Sequence, residues 1–395
     1  MNHVESPIQL NNGKVIINNS YAGIVEVVMV LLSFFTIMTP RDALGLKKIF
    51  LGLALLLGLF SIIKGVGKNG KLLFFSTVLP IIMYCVSVLD TGSATSAISY
   101  LYPFVYLLLL FPVLEYNINV RNIALSVGNM MIFIILASCI LDAVGILSVY
   151  NNPLLSWLNS NGEAQISKSG YAMFRYVLFF KASPILFFNL THYIKEKMEL
   201  YAVLTFVALL FTGTRANIYL AAALLVVGLL FMNNNSILKV VTILAIVLVI
   251  LFFGVELINR YHLITFAKAK GDTIRSAGFS SIIEVMNSHK SYWLTGMGFG
   301  STYYNAGRLT MVETSELSYL EFIREIGIPL SLIEFYFLVT PLIKLKSIDI
   351  YFLLAYGAFL AAGIVDPFVF TSTGMFIIMM AYSEMYKAGN CRPNS

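Results

Sequence analysis

Charge is what this chain has least of. Only 12% of its 395 residues are Asp, Glu, Lys or Arg, about half the share of roughly 25% in a soluble domain. Histidine, cysteine and tryptophan are scarce too, with 4, 3 and 2 copies. Cys85 and Cys139 lie inside apolar runs and Cys391 in the tail, so neither a disulfide framework nor a CxxC site can be built. No DxD, HExxH, P-loop or GxSxG string occurs, and no His/Cys/Asp cluster has metal-ligand spacing. Those absences remove the usual signatures of zinc proteases, P-loop NTPases and α/β-hydrolases. No fixed-period repeat and no pair of matching halves is visible, which weighs against an inverted-repeat transporter.

What remains is apolar. Hydrophobic residues make up 58% of the chain, and the mean hydropathy is +0.84. One water-soluble core of this size cannot hide that much apolar surface, so the solvent is lipid. A bilayer core needs about 20 apolar residues per helix. Runs of that kind lie near 21–39, 46–63, 72–89, 97–114, 121–142, 170–192, 198–212, 215–232, 237–255, 318–343, 348–365 and 368–386. The expectation is an all-α polytopic integral membrane protein with about 12 transmembrane helices.

The formal charge of +6 resides in loops between apolar runs, a pattern of membrane topology and not of a nucleic-acid face. With the N-terminus inside, Lys14, Lys64, Lys68, Lys71, Arg121, Lys195, Lys197, Lys239, Lys344, Lys346, Lys387 and Arg392 are internal. Arg41, Lys47 and Lys48, in the first outer loop, are the exception. The division that follows is 1–20 as N-terminal segment, 21–147 as N-terminal membrane helices, 148–169 as an outer loop and 170–255 as membrane helices. Residues 256–317 form a large outer loop, 318–386 the C-terminal helices and 387–395 the tail. The polar first twenty residues lack a small-residue cleavage site, so the first helix reads as an uncleaved anchor.

Several polar residues sit where a membrane protein rarely places them. Phe211-Thr212-Gly213-Thr214-Arg215-Ala216-Asn217 puts a guanidinium at the outer end of a helix pair. Arg215 there suits either bidentate phosphate binding or simple interfacial anchoring. Arg175 can snorkel to the interface, whereas Lys181, two turns deeper in the same run, should face a cavity or a carboxylate. The large loop carries Arg260, Asp272-Thr273-Ile274-Arg275-Ser276, the glycine string Leu294-Thr295-Gly296-Met297-Gly298-Phe299-Gly300-Ser301, and Arg308. Glycines there allow tight turns or close backbone approach. Glu321, Arg324 and Glu325 are spaced to pair along one helix face. Glu313 and Glu316 have no obvious local partner and suit a base at a cavity mouth. Asp366-Pro367 reads as the cap of the last helix.

Taken together, these strings resemble the O-antigen polymerase/ligase superfamily. The matching pieces are FTGTRANIYLA (211–221), the helix start around Arg175, DTIRSAG (272–278), LTGMGFGS (294–301) and ELSYLEFIREIGIPL (316–330). Arg260 and Gly271 also satisfy an Arg, ten residues, Gly pattern associated with the polymerases. Ligases of this superfamily look like His-Asn-Ser-Tyr-Leu where this chain has Glu316-Leu317-Ser318-Tyr319-Leu320, which favours the Wzy-type polymerase. The resemblance implies a GT-C-type fold with a large periplasmic loop, in the bacterial inner membrane, with the active site facing the periplasm and both termini cytoplasmic. It implies polymerisation of undecaprenyl-diphosphate-linked oligosaccharide repeats, inverting and metal-independent, with no cofactor. Glu316 would be the base, Arg215 and Arg275 the diphosphate clamps. Arg175, Lys181, Arg260, Glu313, Arg308 and Tyr319 would bind substrate, and Tyr292, Trp293, Tyr303 and Tyr304 would either stack on sugars or anchor at the interface. Implied partners are a flippase and a chain-length co-polymerase, with no nucleic acid. Ligase-type glycan transfer and a lipid-linked oligosaccharide flippase or transporter are the alternatives.

Overall fold

A computed structural model describes residues 10–11, 14–15, 19–63, 73–91, 94–168, 176–231, 261–345 and 349–390. Most of these residues are helical. The first run becomes α1 (Asn19–Met38) and the second α2 (Leu46–Ile63). A π-helical turn leads into α3 (Leu79–Thr91). Next, α4 (Ala94–Leu101) passes through a 3₁₀ stretch at Tyr102–Leu109 into α5 (Leu110–Glu115). Asn119 caps α6 (Val120–Ala143) by accepting from the Asn122 amide at 3.1 Å. Asn152 caps α7 (Pro153–Ser160) in the same way, the side-chain oxygen satisfying an amide that the helix itself cannot.

The run near 170–192 is not one membrane helix. Ala164–Lys168 and Tyr176–Phe180 form an antiparallel hairpin, followed by α8 (Leu186–Lys195). Aromatic and branched residues at Tyr176-Val177-Leu178-Phe179-Phe180 suit a pleated strand, and alternate ones are buried. The chain then forms α9 (Glu199–Phe211) and α10 (Arg215–Phe231). The apolar run at 237–255 lies outside the described residues.

The expected outer loop carries regular structure of its own. It holds α11 (Tyr261–Ser288), a single helix of 28 residues that contains the DTIRSAG string, then α12 (Tyr292–Thr295) and a hairpin pairing Tyr303–Asn305 with Thr310–Val312. The chain closes with α13 (Ser318–Leu345), α14 (Ile350–Ala362) and α15 (Ser372–Asn390). A kink at Gly327, ahead of Pro329, divides α13.

Among the described residues, three helices are long and apolar enough to cross a membrane: Ala97–Glu115, Val120–Ala143 and Ser318–Leu345. Shorter apolar helices accompany them at Ala22–Met38, Phe74–Leu89, Glu199–Phe211, Ala216–Gly228 and Ile350–Ala362. Helix α15 is buried continuously from Met375 to Ala381, as expected of a helix apolar all round. It packs on α1, α5, α6, α13 and the 3₁₀ stretch. The outward faces are apolar as well: Ile49, Leu53, Leu56 and Phe60 of α2, and Leu332, Tyr336, Val339 and Ile343 of α13, are exposed. Such a surface is stable only against lipid or another apolar phase.

Most of the charge gathers at two poles, with Glu334, fully buried in the middle of α13, apart from both. At one, Asp349 caps α14 and takes Arg121 at 2.7 Å and Lys195 at 3.0 Å, with Glu384 3.6 Å from Arg121. The other pole is formed by the ends of α1, α9, α14 and the starts of α10, α13 and α15, and it contains a cleft.

Candidate functional site

The cleft has a volume of about 810 Å³, within the usual range of small-molecule sites. One wall is the hairpin: Gln165 and Ser167 pair with Phe179 and Val177, so all four share a face, and Lys181 follows. Thr212, Gly213 and Thr214 line the cleft between α9 and α10. A Cβ on Gly213 would meet Val177 at 2.4 Å, and its φ is +67°. Glycine here therefore serves the close approach of strand to helix end. Arg215 is the first residue of α10, and only its backbone is described.

Opposite stand Arg275, Arg308 and Glu316. Their meeting depends on the second hairpin lying along α11. The side chain of Asn305 accepts from the amides of Gly307 and Arg308 at 3.0 and 3.1 Å. Ser281 receives the Ala306 amide at 3.0 Å. Gly307 rests on the backbone of Ile274, where a Cβ would come within 2.2 Å of the Ile274 carbonyl oxygen. Residues one step beyond each contact, Arg308 and Arg275, are thus delivered to the same place. Arg275 donates Nε to Glu316 Oε2 at 3.0 Å, and Arg308 donates Nη2 to Oε1 at 3.3 Å. Both pairs are partly exposed, so their strength is moderated by water.

Three further groups were not expected at the site. Arg41, an exception to the charge asymmetry in sequence, lines the cleft and lies across Gly162. Its turn is held by Glu163, fully buried, which accepts the amides of Arg41 at 2.7 Å and Ala43 at 3.0 Å. Asp366 does not cap the last helix, which begins later at Ser372; it also lines the cleft. Burial raises the Asp366 carboxyl above the ordinary aspartate range, with Arg275 opposing and Glu316 reinforcing the shift. Burial and the neighbouring Arg41 push the Lys181 ammonium down to about 8, while Glu163 acts against them. Lys181 therefore faces the cavity that its place in the sequence required.

Other sequence candidates lie elsewhere. Glu313 accepts from the Tyr100 hydroxyl at 3.3 Å and does not line this cleft. Tyr319 donates its hydroxyl to the Leu360 carbonyl at 2.8 Å and packs edge-on against Phe335. Tyr303 is buried, gives its hydroxyl to Glu321 at 2.6 Å and lies under the Arg324 guanidinium. Tyr292, Trp293 and Tyr304 are also absent from the cleft wall. Arg175 and Arg260 lie outside the described residues.

The Glu321, Arg324, Glu325 triplet pairs as its spacing predicts, with Arg324 at 2.6 Å from Glu321 and 3.5 Å from Glu325. Arg324 is fully buried and also reaches Ser301 and the Glu313 carbonyl. The glycine string belongs to the same construction. Amides of Met297 and Gly298 donate to the carbonyls of Arg324 and Glu325 at 2.8 and 2.9 Å, so its close approach is to the kinked helix. Among the described residues, no group of three or more His, Cys, Asp or Glu stands together as metal ligands.

Chemically, the cleft offers two guanidiniums on a shared carboxylate, with a guanidinium and an ammonium on the facing wall. Preformed cations around a concave site stabilise a polyanion or a developing negative charge. The start of α10 adds the partial positive charge of a helix N-terminus. No protein-family model matches this chain, and no curated protein matches it.

Proposed function

We propose that this protein is a glycosyltransferase that polymerises undecaprenyl-diphosphate-linked oligosaccharide repeats into O-antigen or a related surface polysaccharide. The reading places about 12 membrane helices in a GT-C-type arrangement in the bacterial inner membrane, the cleft facing the periplasm and both termini the cytoplasm. The observation that carries it is the convergence of Arg275 and Arg308 on Glu316 in a cleft with Lys181 and Arg41. The resemblance of the 170–330 strings supplies the identity of the lipid donor.

In the reaction, a hydroxyl oxygen of the incoming unit attacks the anomeric carbon of the growing chain. The bond from that carbon to the diphosphate oxygen breaks with inversion, and the diphosphate leaves with the electron pair. Arg275, Arg308, Lys181 and Arg41 neutralise the charge that develops on it, the role that a metal ion fills in other transferases. Glu316 has two tasks. Before substrate arrives it holds both guanidiniums in register. Diphosphate then draws them away, which frees a carboxylate oxygen to accept the hydroxyl proton. A flippase and a chain-length co-polymerase would supply substrate and set length.

The test is a reconstituted reaction in proteoliposomes, with lipid-linked repeats as substrate and a chelator present. Ladders longer than one repeat are expected from the wild type and none from Arg275→Ala. If the wild type moved repeats across the bilayer without lengthening them, the chain would be a flippase. Transfer to lipid A without lengthening would make it a ligase.

A further inference from the structure

Glu334 belongs neither to the cleft nor to a charged pole. It stands in the middle of α13, 0% exposed, on a helix long and apolar enough to cross a membrane. Both of its carboxyl oxygens, Oε1 and Oε2, are buried and without a hydrogen-bond partner among the described residues. One turn earlier on the same helix, Ser331 is fully buried too, and its Oγ is likewise unpartnered. Buried polar atoms are nearly always paired, so a carboxyl with neither oxygen bonded calls for a reason.

The surroundings supply no counter-charge. Tyr356 of α14 and Tyr382 of α15 are ionisable side chains close enough to feel a charge on Glu334. Both spend their hydrogens on the backbone of α13. Tyr356 donates its hydroxyl to the Leu338 carbonyl at 2.9 Å, and Tyr382 donates to the Phe337 carbonyl at 2.8 Å. The Phe337 carbonyl is open to this bond because Pro341, one turn on, has no amide to give it. Helix α3 also packs on α13, and its ionisable Tyr84 and Cys85 are half-buried and exposed, respectively. Helices α11 and α12 meet α13 at its outer end, around Leu317, Leu320, Ile323 and Gly327. There Arg324 and Glu325 pair with each other, about two and a half turns from Glu334.

Three occupants could satisfy such a carboxyl: water, a metal cation or a proton. Neither oxygen borders a space large enough for water. A metal cation needs similar room and several oxygen ligands around it. A bare carboxylate in an apolar interior is too costly to keep. Ser331 can add one neutral hydrogen bond, which suits an acid but does not offset a buried charge. A proton needs no room. We infer that Glu334 is a proton-binding site within the membrane: its carboxyl packs against α14 and α15 as the neutral acid, and that packing depends on the proton. When the proton passes to the solvent, the charge left behind has to be hydrated, which the closed helices do not allow.

The test compares the full chain with Glu334→Gln, which keeps the shape of the neutral acid, by reversible unfolding in mixed detergent micelles from about pH 5.5 to 7.5. In this range an unfolded glutamate has released its proton. The folding constant of the wild type, relative to that of Glu334→Gln, should therefore fall about tenfold per pH unit. Other buried carboxyls, Glu325 and Asp366 among them, act in both chains and cancel. A ratio that stays level with pH overturns the inference. A ratio that rises with pH does so too, since that is the sign of a carboxylate held by a cation. Stability that is lost when choline replaces sodium would assign the site to the metal ion. Infrared spectra of the folded proteins give a reading without unfolding: at neutral pH the wild type should show a protonated-carboxyl band that Glu334→Gln lacks, and identical spectra would mean that Glu334 is ionised. Glu334→Leu serves as a second reference, because an uncharged site tolerates an apolar side chain. If neither Glu334→Gln nor Glu334→Leu folded while Glu334→Asp did, the charge itself would be required and the inference would fall.

Discussion

Arg275 on α11 and Glu316 at the entry to α13 meet at 3.0 Å, although 41 residues separate them in the chain. Arg308 holds the second oxygen of the same carboxylate at 3.3 Å. A carboxylate that bridges two guanidiniums competes with any anion for them. An anion that enters the cleft therefore has to displace Glu316 from the guanidiniums it binds.

Arg275→Ala and Arg308→Ala should each lower the turnover of chain lengthening about 10²- to 10³-fold, the usual effect of removing one donor aimed at developing charge. Single repeats on the surface lipid should persist. A glycan gel of complemented deletion strains, with turnover measured in proteoliposomes, checks both points. Full-length polymer from both variants would contradict the assignment.

Glu316→Gln keeps the shape and removes the charge that occupies both guanidiniums. Turnover should fall at least tenfold, in the range of general-base contributions, while affinity for undecaprenyl diphosphate rises. Unchanged turnover would move the role of base to another residue.

Lys181 gives a pH signature. Its ammonium is pushed down to about 8 by burial and by Arg41, so the cleft loses a positive charge as pH rises through that value. Affinity for the diphosphate should therefore fall above pH 8 in the wild type and stay level in Lys181→Arg. Stability moves the other way. Between pH 8 and the ordinary lysine value of 10.5, the unfolded chain holds a proton that the folded chain has released, so folding becomes more favourable as pH increases. Calorimetric titration and melting across pH 7 to 10 separate the two trends.

Arg324 is fully buried and bound to Glu321, Ser301 and the Glu313 carbonyl. Arg324→Met should destabilise the protein by about 3–5 kcal/mol, because it leaves buried carboxylates without a counter-charge. Melting in detergent provides the measurement. An unchanged melting temperature would show that the glycine string and α13 are held by other contacts.

Gly213→Ala should destabilise the turn by about 1–2 kcal/mol through its left-handed backbone alone. It should also displace Val177, which the new Cβ would meet at 2.4 Å. Val177→Ala in the same chain should recover part of the loss, and a double-mutant cycle on melting and turnover measures that coupling. Strict additivity would show that the strand does not press on this turn.

How legible the site was depended on the kind of residue. Lys181 was conspicuous because a cation deep in an apolar run must find a cavity. Arg275, Arg308 and Glu316 stood out by type in a loop between membrane runs, although nothing local said that they touch. Arg41 looked like a departure from the charge asymmetry, and that departure was the available signal of its place at the cleft. Asp366 next to a proline looked like a helix cap. Glu163 gave no signal at all, since its partners, the amides of Arg41 and Ala43, lie 122 and 120 residues away.

By itself, the sequence determined the solvent. Its 12% charge and long apolar runs demand helices bathed in lipid, where a charge is costly, so most of the charged residues lie at helix ends; Glu334, fully buried in the middle of α13, is an exception. Only the tertiary structure decided which of those polar residues meet. It turned half of an apolar run into a hairpin, since strand pairing satisfies the backbone of Tyr176–Phe180 while presenting Val177 and Phe179 to the cleft. It also brought Arg308 onto Arg275 through Gly307, a contact set by the absence of a side chain on one glycine and the position of one carbonyl on Ile274. Residue type and spacing do not encode such approaches; they arise when distant backbones pack.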